Sequence, residues 1–117
     1  MNVAFITSEV VPFSKTGGLA DVAGSLPAAL ERLGVEVKVV SPLYPSVRRH
    51  ALEQVPNLVT VPLGGRTAWG AVRRSGRHYF LEHEFFFSRA DRHRSVRRLV
   101  RINTNHDSHQ YLRGLIE

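Results

Sequence analysis

Hydrophobic and polar positions divide the first ninety residues into short segments of different pattern. Val3 to Thr7 is almost wholly apolar and rich in β-branched residues, which predicts a strand buried in a parallel sheet. Pro12 and the adjacent Gly17 and Gly18 then break the chain into a loop. From there apolar residues recur at spacings of three and four (Leu19, Val22, Ala23, Leu26, Leu30, Leu33), which predicts one apolar stripe on a helix. Gly34 follows where a helix end calls for positive φ, and Pro27 inside the stretch marks a kink or a second start. Val35 to Val40 alternates and then turns fully apolar, a second strand ended by Ser41-Pro42. Strand, glycine loop, helix and strand in this order form a βαβ unit, the opening of a Rossmann-like α/β sheet with a right-handed crossover.

Leu58–Leu63, Thr67–Arg73 and His78–Leu81 read as shorter strands separated by Gly64-Gly65 and Ser75-Gly76, an antiparallel meander or hairpin. Beyond Phe87 the pattern is lost, because Val96, Leu99 and Val100 are too few to give Arg89–Arg101 a buried face. Residues 1–88 are therefore expected to form one α/β domain and 89–117 a basic divergent tail. A chain of 117 residues supports one modest core and no second.

Charge sharpens this division. The net +6 and pI near 10.8 suggest a polyanionic partner, yet residues 1–47 carry three basic against four acidic groups. From Arg89 onward seven arginines face only Asp91, Asp107 and Glu117. The absence of cysteine excludes disulfides, thiolate metal sites and a cysteine nucleophile. The start, MNVAFITSEVVPF, has no basic region ahead of an apolar run long enough for a leader or a span, so a cytoplasmic protein without a membrane partner is expected.

The chemistry concentrates in S-K-T-G-G-L-A-D, residues 14–21. A loop leaving the first strand of a βαβ unit meets a helix N-terminus, whose free N–H groups and dipole favour an anion. Glycines allow close approach to that backbone, and Lys15 adds a full positive charge. The segment is neither a Gly-Lys-Ser/Thr phosphate loop nor a G-x-G-x-x-G fingerprint, which makes the phosphate reading weak on motif grounds, and no cofactor is expected. By spacing alone a plain turn with a solvated lysine competes with a phosphate site. Asp21 reads either as an acid complementing the helix dipole or as an acceptor for a sugar hydroxyl.

The longer context is specific. K-T-G-G-L-A-D-V-A-G-S-L-P, preceded by F-I-T-S-E-V-V-P-F and followed by A-L-x-x-L-G-V-E-V-K-V-V-S-P-L-Y-P, resembles the N-terminus of bacterial glycogen synthases and plant starch synthases. The likeness is close to about Tyr44 and looser, through P-L-G-G-R-T and Y-F-L-E-H-E-F-F, to about Arg89. It implies a GT-B fold and a retaining transfer of glucose from ADP-glucose to the non-reducing end of an α-1,4-glucan. Lys15 would contact the donor phosphates or glucosyl unit, Gly17 and Gly18 would let the loop backbone approach the donor, and Asp21 would lie near the glucose. It also implies that the catalytic residues, and a second domain carrying most of the nucleotide pocket, fall outside the matching region. On that comparison the chain is a truncated N-terminal piece, inactive alone.

Where the family continues with G-x-Y-G-D, this chain has R-H-R-S-V-R-R-L-V-R. Read one nucleotide later, the codons from Ser95 can spell Val-Tyr-Gly-Asp, so a frameshift near Arg89–Ser95 is expected to have produced a disordered tail. The competing class is a small nucleic-acid-binding protein using the Arg89–Arg101 cluster, although no aromatic residue is interleaved there for base stacking. His106 with His109, or His78, His83 and His93, give no convincing metal set, so no metal is expected. Glu82 and Glu84 can share one strand face but read as its polar end, and Phe85-Phe86-Phe87 reads as core or interdomain contact.

Overall fold

A computed structural model of the chain describes residues 1–83 and residue 87. The expected tail, its arginine cluster, Glu84, Phe85 and Phe86 lie outside the described residues.

The βαβ unit forms as its pattern dictates. Strand β1 (Asn2–Ile6) leads through a loop to helix α1 (Gly18–Arg32) and returns as β2 (Glu36–Pro42), parallel to β1 with Val3 opposite Val37 and Ile6 opposite Val40. The helix runs continuously through Pro27, whose ring is buried, so there is no second start. It ends in a Schellman arrangement: Gly34, at φ 82°, donates to Glu31 O and Val35 donates to Leu30 O, at 3.0 and 3.2 Å.

After a short 3₁₀ turn at Val47–Arg49 come β3 (Glu53–Gln54), β4 (Val59–Leu63), β5 (Arg66–Ser75) and β6 (His78–Glu82). β4 and β5 are joined by Gly64 and Gly65, both at positive φ, the two-residue hairpin that only glycine adopts without cost. The sheet order is β1-β2-β6-β5-β3, with β4 on the other half of β5. β5 thus pairs with β4 up to Gly70 and with β6 from Ala71. The meander is as expected from the glycine punctuation, but β6 also joins β2 in parallel, Ser41 opposite Phe80. β3 has only two residues, too short to leave a periodic trace.

Two expectations need correction. β1 is half-buried and not enclosed, because among the described residues its outer edge has no neighbouring strand. The apolar stripe of α1 is also divided. Ala20, Ala23 and Pro27 are buried and Leu30 packs against the core, whereas Leu19, Val22 and Leu26 remain 47, 50 and 40 % exposed and Leu33 is exposed too. The helix rests on the sheet through its small residues, which bring its backbone close.

The core contains Val10 and Phe13 from the β1–α1 loop, Ala23, Val37, Val39, Leu43, Tyr44, Val47 and Phe80. Gly24 lies where the helix closely approaches that loop: a Cβ built there would collide with Val11 Cγ2 and lie 3.5 Å from Val11 O. Gly24→Ala is expected to cost about 1–3 kcal/mol, the usual range for an added methyl in a packed site. Thermal melting measures it, and an unchanged midpoint would show that Val11 yields freely.

Candidate functional site

The parallel strands β1, β2 and β6 all end at one edge of the sheet, and the loop of residues 7–17 lies there, at the start of α1. Crevices at that edge are where open α/β sheets bind ligands. The loop is built from its own polar groups. Thr7 Oγ1 donates to Glu9 O at 2.9 Å, Ser14 N donates to Val10 O at 2.9 Å, and Val10 N donates to Ser14 Oγ at 3.4 Å. Val10 and Phe13 point into the core between these bonds, with the Phe13 ring 4.8 Å from Phe80. A second tie joins the loop to the helix, Val11 N to Ala20 O at 3.2 Å.

Of the four expected site residues, Lys15 and Asp21 come together. Lys15 Nζ lies 2.9 and 2.8 Å from the two carboxylate oxygens of Asp21, and both side chains are about half exposed. The pair is accessible, and such pairs hold by only about 0.2–1 kcal/mol, so Lys15 can exchange Asp21 for another anion. Gly17 and Gly18 lie beside it at the first residues of the helix. Gly17 is extended, at φ −163° and ψ −164°, and nothing lies within 4 Å of a Cβ built on Gly18. Among the described residues neither backbone strain nor packing requires glycine at 18, and the backbone there faces open space.

Sequence reasoning missed Glu9. It is 5 % exposed, and its carboxylate accepts the Thr16 amide at 2.6 Å and the Thr16 hydroxyl. Burial pushes its carboxyl up, but the bonds from Thr16, with those from the amides of Ala20 and Gly17, outweigh this and hold it below the ordinary value. An anion does sit at the helix N-terminus, and it belongs to the chain itself. The signal was present: α1 starts on glycines with no side chain to cap it, and Glu9 is the sole acid in the loop before it.

Elsewhere along the sheet edge, Glu82 is held between Arg48 at 2.6 Å and Arg73 at 3.1 Å. Burial raises its carboxyl, yet the two guanidinium hydrogen bonds bring it below its ordinary value. With both oxygens engaged it is the polar strand end that its alternation suggested. His78 packs against Phe13, ring centroids 5.0 Å apart, and burial lowers its pKa. No group of three His, Cys, Asp or Glu side chains is placed to hold a metal among the described residues.

These three groups share one sign. Each binds protons less readily folded than unfolded, so acid destabilises the fold. The His78 loss begins as pH falls below about 6.5 and grows until its folded pKa is passed; those of Glu9 and Glu82 begin below about 4.5. The melting temperature is expected to fall in two stages on acidification, and His78→Phe to flatten the first. An unchanged upper stage in that variant would assign it to another group.

Comparison with known proteins gives a consistent picture. Residues 2–107 match the family model of the starch synthase catalytic domain. Glycogen synthases of Syntrophotalea carbinolica and Caldicellulosiruptor saccharolyticus are 43 and 41 % identical over 95 residues, covering 76 % of this chain and 20 % of each relative. The catalytic domain of starch synthase IV from Arabidopsis thaliana, solved bound to ADP and acarbose, superposes with a TM-score of 0.66 at 25 % identity, covering 76 % of this chain and 20 % of that one. The chain thus spans about a fifth of the length of these relatives.

Proposed function

The chain belongs to the starch synthase catalytic-domain family of glycosyltransferases, and from that membership we propose that it carries the donor-side loop of an enzyme transferring glucose from ADP-glucose to an α-1,4-glucan. Transfer is to the non-reducing end with retention, in the cytoplasm. No helix among the described residues is long and apolar enough to cross a membrane. The N-terminal fold is the Rossmann-like α/β start of a GT-B enzyme, consistent with the superposed starch synthase.

One observation carries the reading: next to a half-exposed lysine the chain has glycine at position 18, where packing among the described residues has no need of it. Open backbone beside a cation suits a ligand that combines sugar and phosphate. Lys15 leaves Asp21 for the donor phosphates, Gly17 and Gly18 admit the donor to the backbone, and Asp21, once released, can accept a glucose hydroxyl. The chemical step depends on groups in the part of the relatives that this chain does not span.

The test is glucose incorporation into a maltooligosaccharide from ADP-glucose and from UDP-glucose, by this chain and by a version with its frame restored after Arg89. Turnover is expected only with the restored chain, and preferentially from ADP-glucose. A shifted frame that does not continue as a glucosyltransferase would sink the frameshift, and a restored protein without transfer would sink the assigned activity.

A further inference from the structure

We propose that Glu9 is a positioning residue: its carboxylate fills the anion position at the N-terminus of α1, fixes the Thr16–Gly18 backbone, and leaves Lys15 as the contact open to a donor phosphate. The proposal builds on the donor-loop reading and adds to it which part of the loop meets the charge.

The N-terminus of a helix leaves several amides without partners, and Gly17 at the N-cap offers no side chain to them. Glu9 serves instead, from eight residues earlier. The amide and the hydroxyl of Thr16 both donate to one of its carboxylate oxygens, and the other lies 3.9 Å from a Cβ built on Gly17 at the N-cap. The side chain is no swinging arm. Its residue is 5 % exposed, its carbonyl accepts from Thr7 Oγ1, and the next residue, Val10, is fully buried.

Two consequences follow from charge. A phosphate at the same amides would meet a like charge already bound there, so Glu9 closes the helix N-terminus to the anion that such a terminus otherwise attracts. Lys15 is screened by an exposed partner, Asp21, that it can exchange. The loop therefore separates structure from ligand contact: Glu9 orders the backbone and Lys15 receives the charge.

The experiment uses the full 117-residue chain, inorganic phosphate as probe against chloride at equal ionic strength, and thermal melting by circular dichroism. All variants are made in a Lys15→Ala background, which removes the proposed ligand contact. With Glu9 present, millimolar phosphate is expected to leave the melting temperature unchanged. Glu9→Ala is expected to lower it by about 4–8 °C, as for loss of a helix cap, and phosphate to restore much of that loss by occupying the freed amides. Glu9→Gln keeps an uncharged acceptor in place and is expected to lose less, while removing the Glu9 share of the acid unfolding stage. Equal phosphate responses with Glu9 and with alanine would overturn the proposal. So would an acid stage unchanged in Glu9→Gln, a readout that stands even if Glu9→Ala does not fold. Failure of the donor-loop reading appears separately, as identical phosphate responses of the unmodified chain and Lys15→Ala.

Discussion

Lys15→Ala is expected to weaken ADP-glucose binding by the frame-restored protein by about 10- to 150-fold, since a hydrogen bond to a charged group contributes about 1.5–3 kcal/mol. The loss should exceed what an exposed lysine contributes to stability, because its partner in the free chain is the half-exposed Asp21. Melting temperature should accordingly move little while affinity falls, and calorimetric titration beside a melt separates the two. Asp21 gives the complementary reading. If it serves only to hold Lys15, Asp21→Asn raises affinity up to about fivefold by removing the competing pair. If it also accepts a glucose hydroxyl, ADP-glucose loses affinity while ADP gains it. Near-normal ADP-glucose binding by Lys15→Ala would remove the lysine from the donor site.

Phe80→Ala is expected to abolish cooperative folding. Truncating a buried Phe costs about 3–5 kcal/mol, a large share of the roughly 5–15 kcal/mol that holds a typical domain together. Phe80 has no exposed surface, faces Ser41 across the β2–β6 pairing, and meets the Phe13 ring edge-on at 4.8 Å. Through Phe13 it also supports the loop that carries Lys15. Far-UV circular dichroism should show no sigmoidal melt for Phe80→Ala, whereas Phe80→Leu should keep one at lower temperature. A Phe80→Ala melt within a few degrees of the unmodified chain would place the core elsewhere.

The βαβ unit was legible because its signals are local. Val35–Val40 alternates, Gly34 ends the helix, and Gly64-Gly65 allows a two-residue turn, each a matter of a few neighbouring residues. Lys15, Gly17, Gly18 and Asp21 stood out for the same reason, as a compact motif. What periodicity cannot give is which apolar positions find a partner. Leu19, Val22 and Leu26 repeat as regularly as Ala23 and Leu30, yet the sheet takes the small residues, since they permit the closer approach. Glu9 was hidden differently. Its partners lie seven or more residues along the chain, and only the folded loop brings its carboxylate to the helix start.

Among the described residues the outer edge of β1 has no neighbouring strand, and it lies on the same side of the molecule as the uncovered apolar side chains of α1. Glu31, on the other flank of the helix, pairs with Arg77 beside β6 at 2.8 Å, so at about 100° per residue Leu19, Val22 and Leu26 turn away from β6, toward β1. A strand added there, parallel to β1 and roofed by those side chains, would turn β1 from margin into midline.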